Sequence, residues 1–456
     1  MFFQQFITPG LGCFSYMIGC PLKGTAAVVD PRRDIGIYLD TAKSNGMRIT
    51  HIFDTHVHAD HITGSRELAR ATGADIYIHE SAPVGYEAKK VAQGNSFDFG
   101  AAAITILHTP GHTPNSISLL ITDLARDKEV PQMLLSGDLL FVGDTGRPDL
   151  PGEEILDEQV RNLYDSLHTT LADLPDGIEV YPAHGAGSLC GSGLSAKPHS
   201  TLGYERKTNH RMLLKNFDEF KRDILSYLPM RPQSFSHIIA TNLNGAPLLP
   251  LCDGNDHALP VARVEELAKQ DAVLLDLRGV FSFATAHIPG SINVDASAPP
   301  APNWIGTVVA PGSRLVLILN RNDEYVDRLT ELRRIGYDDV AGYLDNGIQA
   351  WIGAGKEIQS LSFISSAELK RKLSGPTPPK VIDVRTIREL EGKKIASAHH
   401  LPFEELLAQN TCPLAKDEES VVVCASGYRS SIAASLLQAR GCACLSVLAG
   451  GMEAYA

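Results

Sequence analysis

Short hydrophobic runs that end in polar side chains recur through the first half of the chain. Each run leads into a turn marked by Gly or Pro, and helical stretches lie between them, so the runs predict buried β-strands. They cover residues 26–30, 49–55, 74–79, 104–111, 117–122 and 133–138. Because sites in layered α/β proteins form where strands end, we expect the polar residues to gather at one edge of the sheets.

The second half of the chain contains an internal repeat. Strand-like and loop segments recur there in the same order, as expected for two small α/β domains in tandem. The matching pairs are VLLDLR (273–278) with VIDVR (381–385), LVLILN (315–320) with SVVVCA (420–425), and YLDNGIQAW (343–351) with VLAGGMEAY (447–455). A polar segment at 241–260 predicts a linker before the repeat. We therefore expect an α/β multidomain protein with domains at 1–245, 257–358 and 363–456.

Composition excludes several classes of protein. The 456 residues include 44% hydrophobic and 21% charged side chains, as in a globular protein with more than one core. A net charge of −12 disfavours binding to nucleic acid. The start MFFQQF lacks the basic region and cleavage site of a signal peptide, and no apolar run is long enough to cross a bilayer. We expect a cytoplasmic protein without a membrane partner.

The eight cysteines are too sparse for a secreted disulfide scaffold, and most are predicted to be reduced thiols. Two of them, Cys190 and Cys424, are candidates for chemistry. The other six are interpreted as small buried hydrophobic residues, namely Cys13, Cys20, Cys252, Cys412, Cys442 and Cys444.

Side chains that bind metals are concentrated at the predicted strand ends of the first domain. The stretch THVHADH (55–61) places three imidazoles and a carboxylate in seven residues, and three further candidates stand beside Gly or Pro. A lone histidine at such a position is usually structural, but the convergence of seven candidates predicts a metal site. The candidates are His56, His58, Asp60, His61, His112, Asp138 and His184.

On these motifs, the chain from Met1 to about residue 237 resembles the metallo-β-lactamase superfamily. The resemblance implies an αββα sandwich with a metal site at one edge of its two sheets. In dinuclear relatives such as glyoxalase II, the matching positions would hold two metals. The first would be bound by His56, His58 and His112, and the second by Asp60, His61 and His184, with Asp138 as the bridge.

Persulfide dioxygenases of the same superfamily imply a different use of these residues. In those enzymes the positions matching His56, His112 and Asp138 bind a single Fe(II) as a facial triad with open positions. The remaining four candidates, His58, Asp60, His61 and His184, would then orient ligands or substrate. The motif leaves the mononuclear and the dinuclear arrangement open, and the same residues also bind zinc.

Cys424 lies in a segment that favours a reactive sulfur. In CASGYRSSIAASLLQARG (424–441), a strand leads into a short loop and a helix, so that loop N–H groups, the helix dipole and Arg429 stabilise a thiolate. The segment from about 363 to 456 resembles a rhodanese domain, which implies sulfane sulfur transfer through a persulfide of Cys424. AHIPGSINV (286–294) gives the first repeat the same resemblance, but Asn320 replaces the cysteine, so we expect an inactive domain.

Cys190 lies six residues after His184 in the Gly- and Ser-rich stretch AHGAGSLCGSG (183–193). It is either a partly buried loop thiol or a group that receives or relays sulfane sulfur close to the metal, and the sequence leaves both readings open. Arg147 and Asp149 follow the Asp138 loop and are interpreted as an ion pair that fixes it.

As a whole, the chain resembles bacterial fusions of a persulfide dioxygenase with a sulfurtransferase, of the CstB type. The resemblance implies oxidation of a low-molecular-weight thiol persulfide by O₂ to sulfite at a mononuclear Fe(II), followed by sulfur transfer to give thiosulfate in sulfide detoxification. We also expect a homo-oligomer. Two alternatives stay open: a dinuclear zinc or iron thioesterase of glyoxalase II type fused to rhodanese modules, and a persulfide carrier or sensor with a structural metal.

Overall fold

The computed structural model describes residues 1–249, 257–298, 300–409, 411–415 and 418–455. Contacts divide the chain into two compact units. One unit contains Met1–Leu251 with Thr330–Gly336, and the other contains Cys252–Leu329 with Tyr337–Ala456. In the described part of the chain, no helix combines the length and the apolar character needed to cross a membrane.

Two six-stranded sheets form the centre of the first unit. The first sheet consists, in spatial order, of β1 (Phe2–Thr8), β2 (Cys13–Cys20), β3 (Thr25–Val29), β4 (Arg48–Phe53), β5 (Asp75–His79) and β6 (Lys89–Val91). The second consists, also in spatial order, of β7 (Ser96–Asp98), β8 (Ala102–His108), β9 (Ile117–Asp123), β10 (Met133–Gly137), β11 (Glu179–Pro182) and β12 (Ser200–Thr201). Strands β3, β4 and β5 run parallel, as do β10 and β11, so the loops after them leave from one edge of each sheet.

Helices cover the outer faces of both sheets. They are α1 (Gly36–Ser44), α2 (Ser65–Thr72), α3 (Leu156–Asp165), α4 (Leu202–Thr208), α5 (His210–Leu213), α6 (Phe217–Ser226) and α7 (Ser234–Asn244). Phe53 and Ile104 belong to the core between the sheets. Tyr38 packs on the outside of the first sheet, and Leu163 with Phe220 on the outside of the second. The predicted αββα sandwich is confirmed.

The second unit contains two parallel five-stranded sheets with the same connectivity. The first sheet has the strands β13 (Ala258–Leu259), β14 (Val273–Asp276), β15 (Ile292–Asn293), β16 (Leu315–Ile318) and β17 (Val340–Leu344), in the order β13-β17-β16-β14-β15. The second has β18 (Ser362–Ile364), β19 (Lys380–Asp383), β20 (His399–His400), β21 (Ser420–Val423) and β22 (Leu445–Leu448), in the order β18-β22-β21-β19-β20. The internal repeat predicted from the sequence is therefore a repeat of the fold.

In both repeats, helices alternate with the strands along the chain. They are α8 (Val261–Ala268), α9 (Val280–Thr285), α10 (Ala301–Val308), α11 (Tyr325–Arg334), α12 (Gly347–Gly353), α13 (Ser366–Leu373), α14 (Ile387–Leu390), α15 (Phe403–Ala408), α16 (Tyr428–Ala439) and α17 (Gly451–Ala454).

Both repeats contain the same buried ion pair at the end of the second strand. Arg278 Nε lies 2.9 Å from Asp276 Oδ1, and Arg385 Nε lies 2.9 Å from Asp383 Oδ1.

The structure corrects three expectations about connections and cysteines. The predicted linker at 241–260 includes the end of α7 and strand β13, and its residues 250–256 lie outside the described ones, as does Cys252. Cys412 and Cys442, predicted to be reduced, form a disulfide bond because the fold brings their Cα atoms to 5.5 Å across 30 residues of sequence. Cys444, predicted to be buried, is exposed.

Candidate metal centre and sulfur-transfer loop

The stretch THVHADH begins directly after β4, and hydrogen bonds fix the orientation of its first histidine. Asp30 accepts hydrogen bonds from the backbone N–H of Thr55 at 2.7 Å and from its hydroxyl at 2.8 Å. Because that hydroxyl donates to Asp30, its oxygen can accept from His56 Nδ1, which lies 2.9 Å away. The other ring nitrogen of His56, Nε2, is left to face the site, as in histidines that bind metals.

Three buried donor atoms face one another and have no hydrogen-bond partner among the residues that the structure describes. They are His56 Nε2, His112 Nε2 and Asp138 Oδ2, here called the three-donor group. The Asp138 oxygen lies 3.3 Å from His112 Nε2 and 3.9 Å from His56 Nε2. Nδ1 of His112 is within 2.8 Å of the backbone carbonyl of Arg147. Because unpartnered buried polar atoms are costly, and two imidazoles with a carboxylate bind divalent metals, the three-donor group fits a metal ion.

His184 lies between two carboxylates beside the three-donor group. Its Nδ1 is 2.6 Å from Asp138 Oδ1, and its Nε2 is 2.8 Å from Asp60 Oδ2. Asp60 also lies 3.1 Å from His61 Nδ1 and 3.3 Å from Cys13 Sγ. Cys13 is buried as predicted, but its neighbours are metal-binding side chains rather than the apolar ones that its interpretation as core implied.

His58 belongs to a separate buried group. Its Nε2 lies 3.0 Å from Asp30 Oδ1, and Asp54 completes a cluster of three potential donors there. Neither carboxylate was among the sequence candidates. Both end hydrophobic runs, in AAVVD and IFD, and that same signal could have identified them.

Burial and mutual charges set the ionisation of the three-donor group. Burial lowers the pKa of His112, and it lowers the pKa of His56 well below the usual range, so both imidazoles are neutral and can offer a lone pair. Burial by itself would raise the pKa of Asp138, but the neighbouring His184 and His112 hold that pKa below its usual range. Burial likewise acts to lower the pKa of His184, but Asp138 and Asp60 raise it well above its usual value.

Cys190 lies buried in the loop that follows β11. Its sulfur and donor atoms of Asp138 and His184 are within 4.8 Å of one another, so the loop does bring this thiol to the metal-binding side chains. Burial raises the pKa of Cys190 well above the usual thiol value, which keeps the group protonated at neutral pH.

The loop after Asp138 is held rigidly against the three-donor group. Arg147 and Asp149 form two hydrogen bonds of 2.7 Å, as the sequence predicted. Gly146 approaches so closely that a Cβ atom there would lie 2.0 Å from the Asp138 carbonyl oxygen and 3.2 Å from His112 Nδ1. A glycine is therefore required at this position.

A cavity of about 470 Å³ opens beside these loops. Val57 from the THVHADH stretch and Asn115, three residues after His112, form part of its wall. Apolar residues such as Leu150 and Ile239 line much of the rest, and Arg231 contributes a guanidinium. The cavity can therefore take a small molecule with an apolar part and an anionic group.

The loop after β21 surrounds a fully buried cysteine. Cys424 Sγ accepts a hydrogen bond from Gly427 N–H at 3.1 Å and lies 3.4 Å from Ser430 Oγ. Arg429, expected as the cation of this loop, is held by Glu389 through two hydrogen bonds of 2.9 and 2.5 Å. Glu389 was not a sequence candidate, because nothing in its local pattern shows that it meets a residue 40 positions away.

The first repeat borders this loop within the second unit. The Tyr428 hydroxyl lies 3.4 Å from the Asp295 carbonyl oxygen, and the rings of Trp304 and Phe403 are 4.8 Å apart. Asn320, at the position that matches Cys424, is exposed at the end of β16 and cannot carry a persulfide. The two repeats thus share a fold but not a sulfur nucleophile.

Comparisons with known proteins agree with this architecture. The metallo-beta-lactamase superfamily matches residues 8–184, and the rhodanese-like domain matches residues 261–354 and 365–456. A crystal structure of a metallo-beta-lactamase from Staphylococcus aureus subsp. aureus COL is 34% identical, with a TM-score of 0.68, over 75% of this chain and 98% of that chain.

Relatives that match part of the chain include a hydrolase and a dioxygenase. Hydroxyacylglutathione hydrolase from Nitrosococcus oceani is 33% identical over 174 residues, which are 38% of this chain and 61% of that relative. Persulfide dioxygenase ETHE1, mitochondrial, from Homo sapiens is 27% identical over 258 residues, which are 53% of this chain and 87% of that relative.

The fold and the buried donor groups define a metal-binding protein of the metallo-beta-lactamase superfamily, to which the chain belongs. Within that superfamily, the chain is a fusion of a domain homologous to persulfide dioxygenases with two rhodanese-like domains.

Proposed function

We propose that the protein is an Fe(II)-dependent persulfide dioxygenase that oxidises low-molecular-weight thiol persulfides with O₂ to sulfite and couples this reaction to thiosulfate formation. The observation that carries the proposal is the three-donor group, which is separate from the cluster of His58 with Asp30 and Asp54. Two histidines and one carboxylate leave open positions on a single iron ion for a persulfide and O₂. Bound Fe(II) would supply the redox chemistry between these two reactants.

The chain's own residues orient this site. Thr55 and the Arg147 carbonyl fix the two imidazoles through their Nδ1 atoms. His184 contacts one oxygen of Asp138, so the carboxylate has its other oxygen available as a donor. The adjoining cavity would hold the thiol carrier of the persulfide, with Arg231 facing an anionic group of that carrier.

Cys424 is proposed to carry sulfane sulfur. Its thiolate takes the outer sulfur of a persulfide and releases the carrier as a thiol. Sulfite then bonds to that sulfur through its own sulfur atom, the sulfur–sulfur bond to Cys424 breaks, and the electron pair returns to Cys424 as thiosulfate leaves. The Gly427 N–H donates to Cys424 Sγ at 3.1 Å and would hold that sulfur in place, and Arg429 is proposed as the cation of this loop that faces the anionic reactants. One chain carries both sites, which raises the effective concentration of sulfite at the second.

A dinuclear hydrolase is the second candidate. Among the described residues His58 Nδ1 is buried without a hydrogen-bond partner, and Asp60 and His61 lie close to His184, which also contacts Asp138, as a two-metal site would require. The similarity to hydroxyacylglutathione hydrolase favours the same activity, hydrolysis of a glutathione thioester. The hydrogen bond between His58 and Asp30 weighs against it, because it ties that imidazole to a carboxylate outside the three-donor group.

Oxygen uptake by the whole 456-residue chain, loaded with Fe(II) without air and given glutathione persulfide, tests the proposal. We expect rapid uptake that His112→Ala abolishes. Cys424→Ser should keep the uptake and shift the product from thiosulfate to sulfite, whereas Cys444→Ser, which alters an exposed thiol of the same domain, should leave thiosulfate unchanged.

Other outcomes select the alternatives. Hydrolysis of a glutathione thioester without oxygen uptake would identify a hydrolase, and bound metal without any turnover would identify a carrier or sensor. If Cys190→Ser changes neither persulfide turnover nor thiosulfate yield, Cys190 is a structural loop thiol and not a sulfur relay.

A further inference from the structure

A buried asparagine on α7 holds the main chain of the loop that ends the THVHADH stretch. Asn242 is 2% exposed. Its Nδ2 donates hydrogen bonds to the carbonyl oxygens of His58 and His61, both at 2.9 Å. Its Oδ1 accepts a hydrogen bond from the backbone N–H of Thr63 at 3.1 Å. One side chain thus satisfies three main-chain groups in residues 58–63, here called the 58–63 loop.

The position of this loop bears on the three-donor group. Asp60 stands between the two carbonyls that are held, and its Oδ2 lies 2.8 Å from His184 Nε2. Nδ1 of that histidine lies 2.6 Å from Asp138 Oδ1, whose other oxygen is one of the three donors. His56, which supplies another of the donors, lies two residues before the first held carbonyl. A shift of the 58–63 loop would therefore reach two of the three donors through buried contacts.

The helix that supplies Asn242 also forms a wall of the adjoining cavity. Ile239 and Leu243 of α7 line that cavity. Ile239 also packs on the two apolar clusters that contain Val57 and Ala59, both from the THVHADH stretch. One helix therefore contacts the metal-site loop through its polar side chain and through its apolar face.

We propose that Asn242 is a positioning residue of the metal centre, and that the two hydrogens it donates fix the 58–63 loop against the helix that walls the cavity. The inference rests on the proposed function for the identity of the metal and of the substrate. Two carbonyls and one N–H converge on this side chain, so it needs two donors and one acceptor. Among side chains of this size, the amide of asparagine meets that need.

Asn242→Leu, a change of similar size that removes every polar atom, tests the proposal in the whole 456-residue chain. We expect the Fe(II) affinity, measured by competition with a chelator under anaerobic conditions, to fall about tenfold or more, as when other groups that orient metal ligands are lost. Asn244→Leu makes the same change at an exposed position of the same helix and should keep the affinity. Equal affinity in both variants would overturn the proposal.

Asn242→Asp separates the donated hydrogens from the filling of space. Aspartate has nearly the same shape and keeps an acceptor for Thr63, but at neutral pH its carboxylate has no hydrogen to donate to the two carbonyls. Asn242→Asp should therefore lose at least as much Fe(II) affinity as Asn242→Leu. If aspartate restored the affinity, Asn242 would have a packing role alone and the proposal would be wrong.

A spectroscopic measurement reports the geometry of the donors apart from the amount of bound metal. Nitric oxide binds to Fe(II) that has open positions, and the electron paramagnetic resonance spectrum of the complex depends on how the ligands are arranged. With Fe(II) at saturation, Asn242→Leu should change the rhombicity of this spectrum and lower kcat for glutathione persulfide more than it changes KM. An unchanged spectrum would contradict the positioning role even if the affinity fell.

The same variants distinguish failure of this inference from failure of the dioxygenase proposal. Competition experiments with Zn²⁺ need no oxygen chemistry, because histidine and carboxylate ligands also bind zinc. Weaker zinc binding in Asn242→Leu but not in Asn244→Leu, in a protein that takes up no oxygen, would reject the dioxygenase and keep the positioning role. Rapid oxygen uptake together with equal metal affinity in the two variants would do the reverse.

Hydrogen exchange in the unmodified protein gives a test that does not depend on a variant folding. The amide hydrogen of Thr63 lies outside the strands and helices, but it is bonded to the buried Asn242. We therefore expect it to exchange slowly. Exchange as rapid as that of an exposed loop amide would show that the clamp is not formed and would overturn the inference.

Discussion

Replacement of Thr55 by valine should weaken metal binding without removing any metal donor. Valine keeps the shape of threonine but lacks the hydroxyl that joins His56 Nδ1 at 2.9 Å and Asp30 Oδ2 at 2.8 Å. Two hydrogen bonds at about 0.5–1.5 kcal/mol each amount to about 1–3 kcal/mol. Loss of a partner that orients a metal-bound histidine costs about 10–100-fold in affinity, which is the same range. We therefore expect Fe(II) binding by Thr55→Val to be about 10–100-fold weaker.

The affinity can be measured by competition with a chelator under anaerobic conditions, and oxygen uptake at saturating Fe(II) shows whether the repopulated site still works. Thr50→Val is a close control, because Thr50 Oγ1 makes the same 2.9 Å contact with Nδ1 of the next residue, His51, on the preceding strand β4 and away from the three-donor group. Equal Fe(II) affinity in both variants would refute the view that Thr55 orients His56.

Three further predictions concern the loops and the second rhodanese-like domain. Gly146→Ala should abolish stoichiometric metal binding, measured by elemental analysis, because its Cβ would lie 2.0 Å from the Asp138 carbonyl oxygen. Arg429 outweighs the effect of burial and lowers the pKa of Glu389 from 4.5 to about 2, so this pair stabilises the fold above about pH 4.5 and the stability is lost as pH falls towards 2. The unfolding temperature of Glu389→Gln should accordingly fall less between pH 4.5 and pH 2 than that of the unmodified protein. An equal fall in both proteins would contradict this prediction. Cys412→Ser opens a loop of 30 residues and should lower the stability of its domain by roughly 3–4 kcal/mol, measured by denaturant unfolding, whereas a change below about 1 kcal/mol would show that the bond is not formed.

Much of the fold could be predicted because the relevant patterns are local. Hydrophobic runs that end in polar residues identified the strands on which the αββα sandwich is built, and two similar strand–loop segments identified the duplicated domain. The candidates His56, His112 and Asp138 follow strand ends, and the structure brings them together because those strands end at one edge.

The residues that the sequence did not reveal act through contacts between distant segments. Cys13 has no candidate metal ligand near it in the sequence, and the fold brings the start of β2 against both His184, in the loop after β11, and Asp60, in the loop after β4. Glu389 reaches Arg429 across 40 residues, and Cys412 reaches Cys442 across 30. Such pairs depend on the packing of whole elements, which periodicity and spacing do not encode.

Complete burial of Cys424 has a consequence for the lifetime of the sulfur that it would carry. The thiol is 0% exposed, enclosed by the loop that begins α16. Because no part of the thiol meets solvent, the persulfide that would load it and the sulfite that would unload it both need this loop to open. Sulfur held in the closed loop is shielded from the reductants around the protein, so its lifetime depends on how often the loop opens as well as on the reactivity of the acceptor.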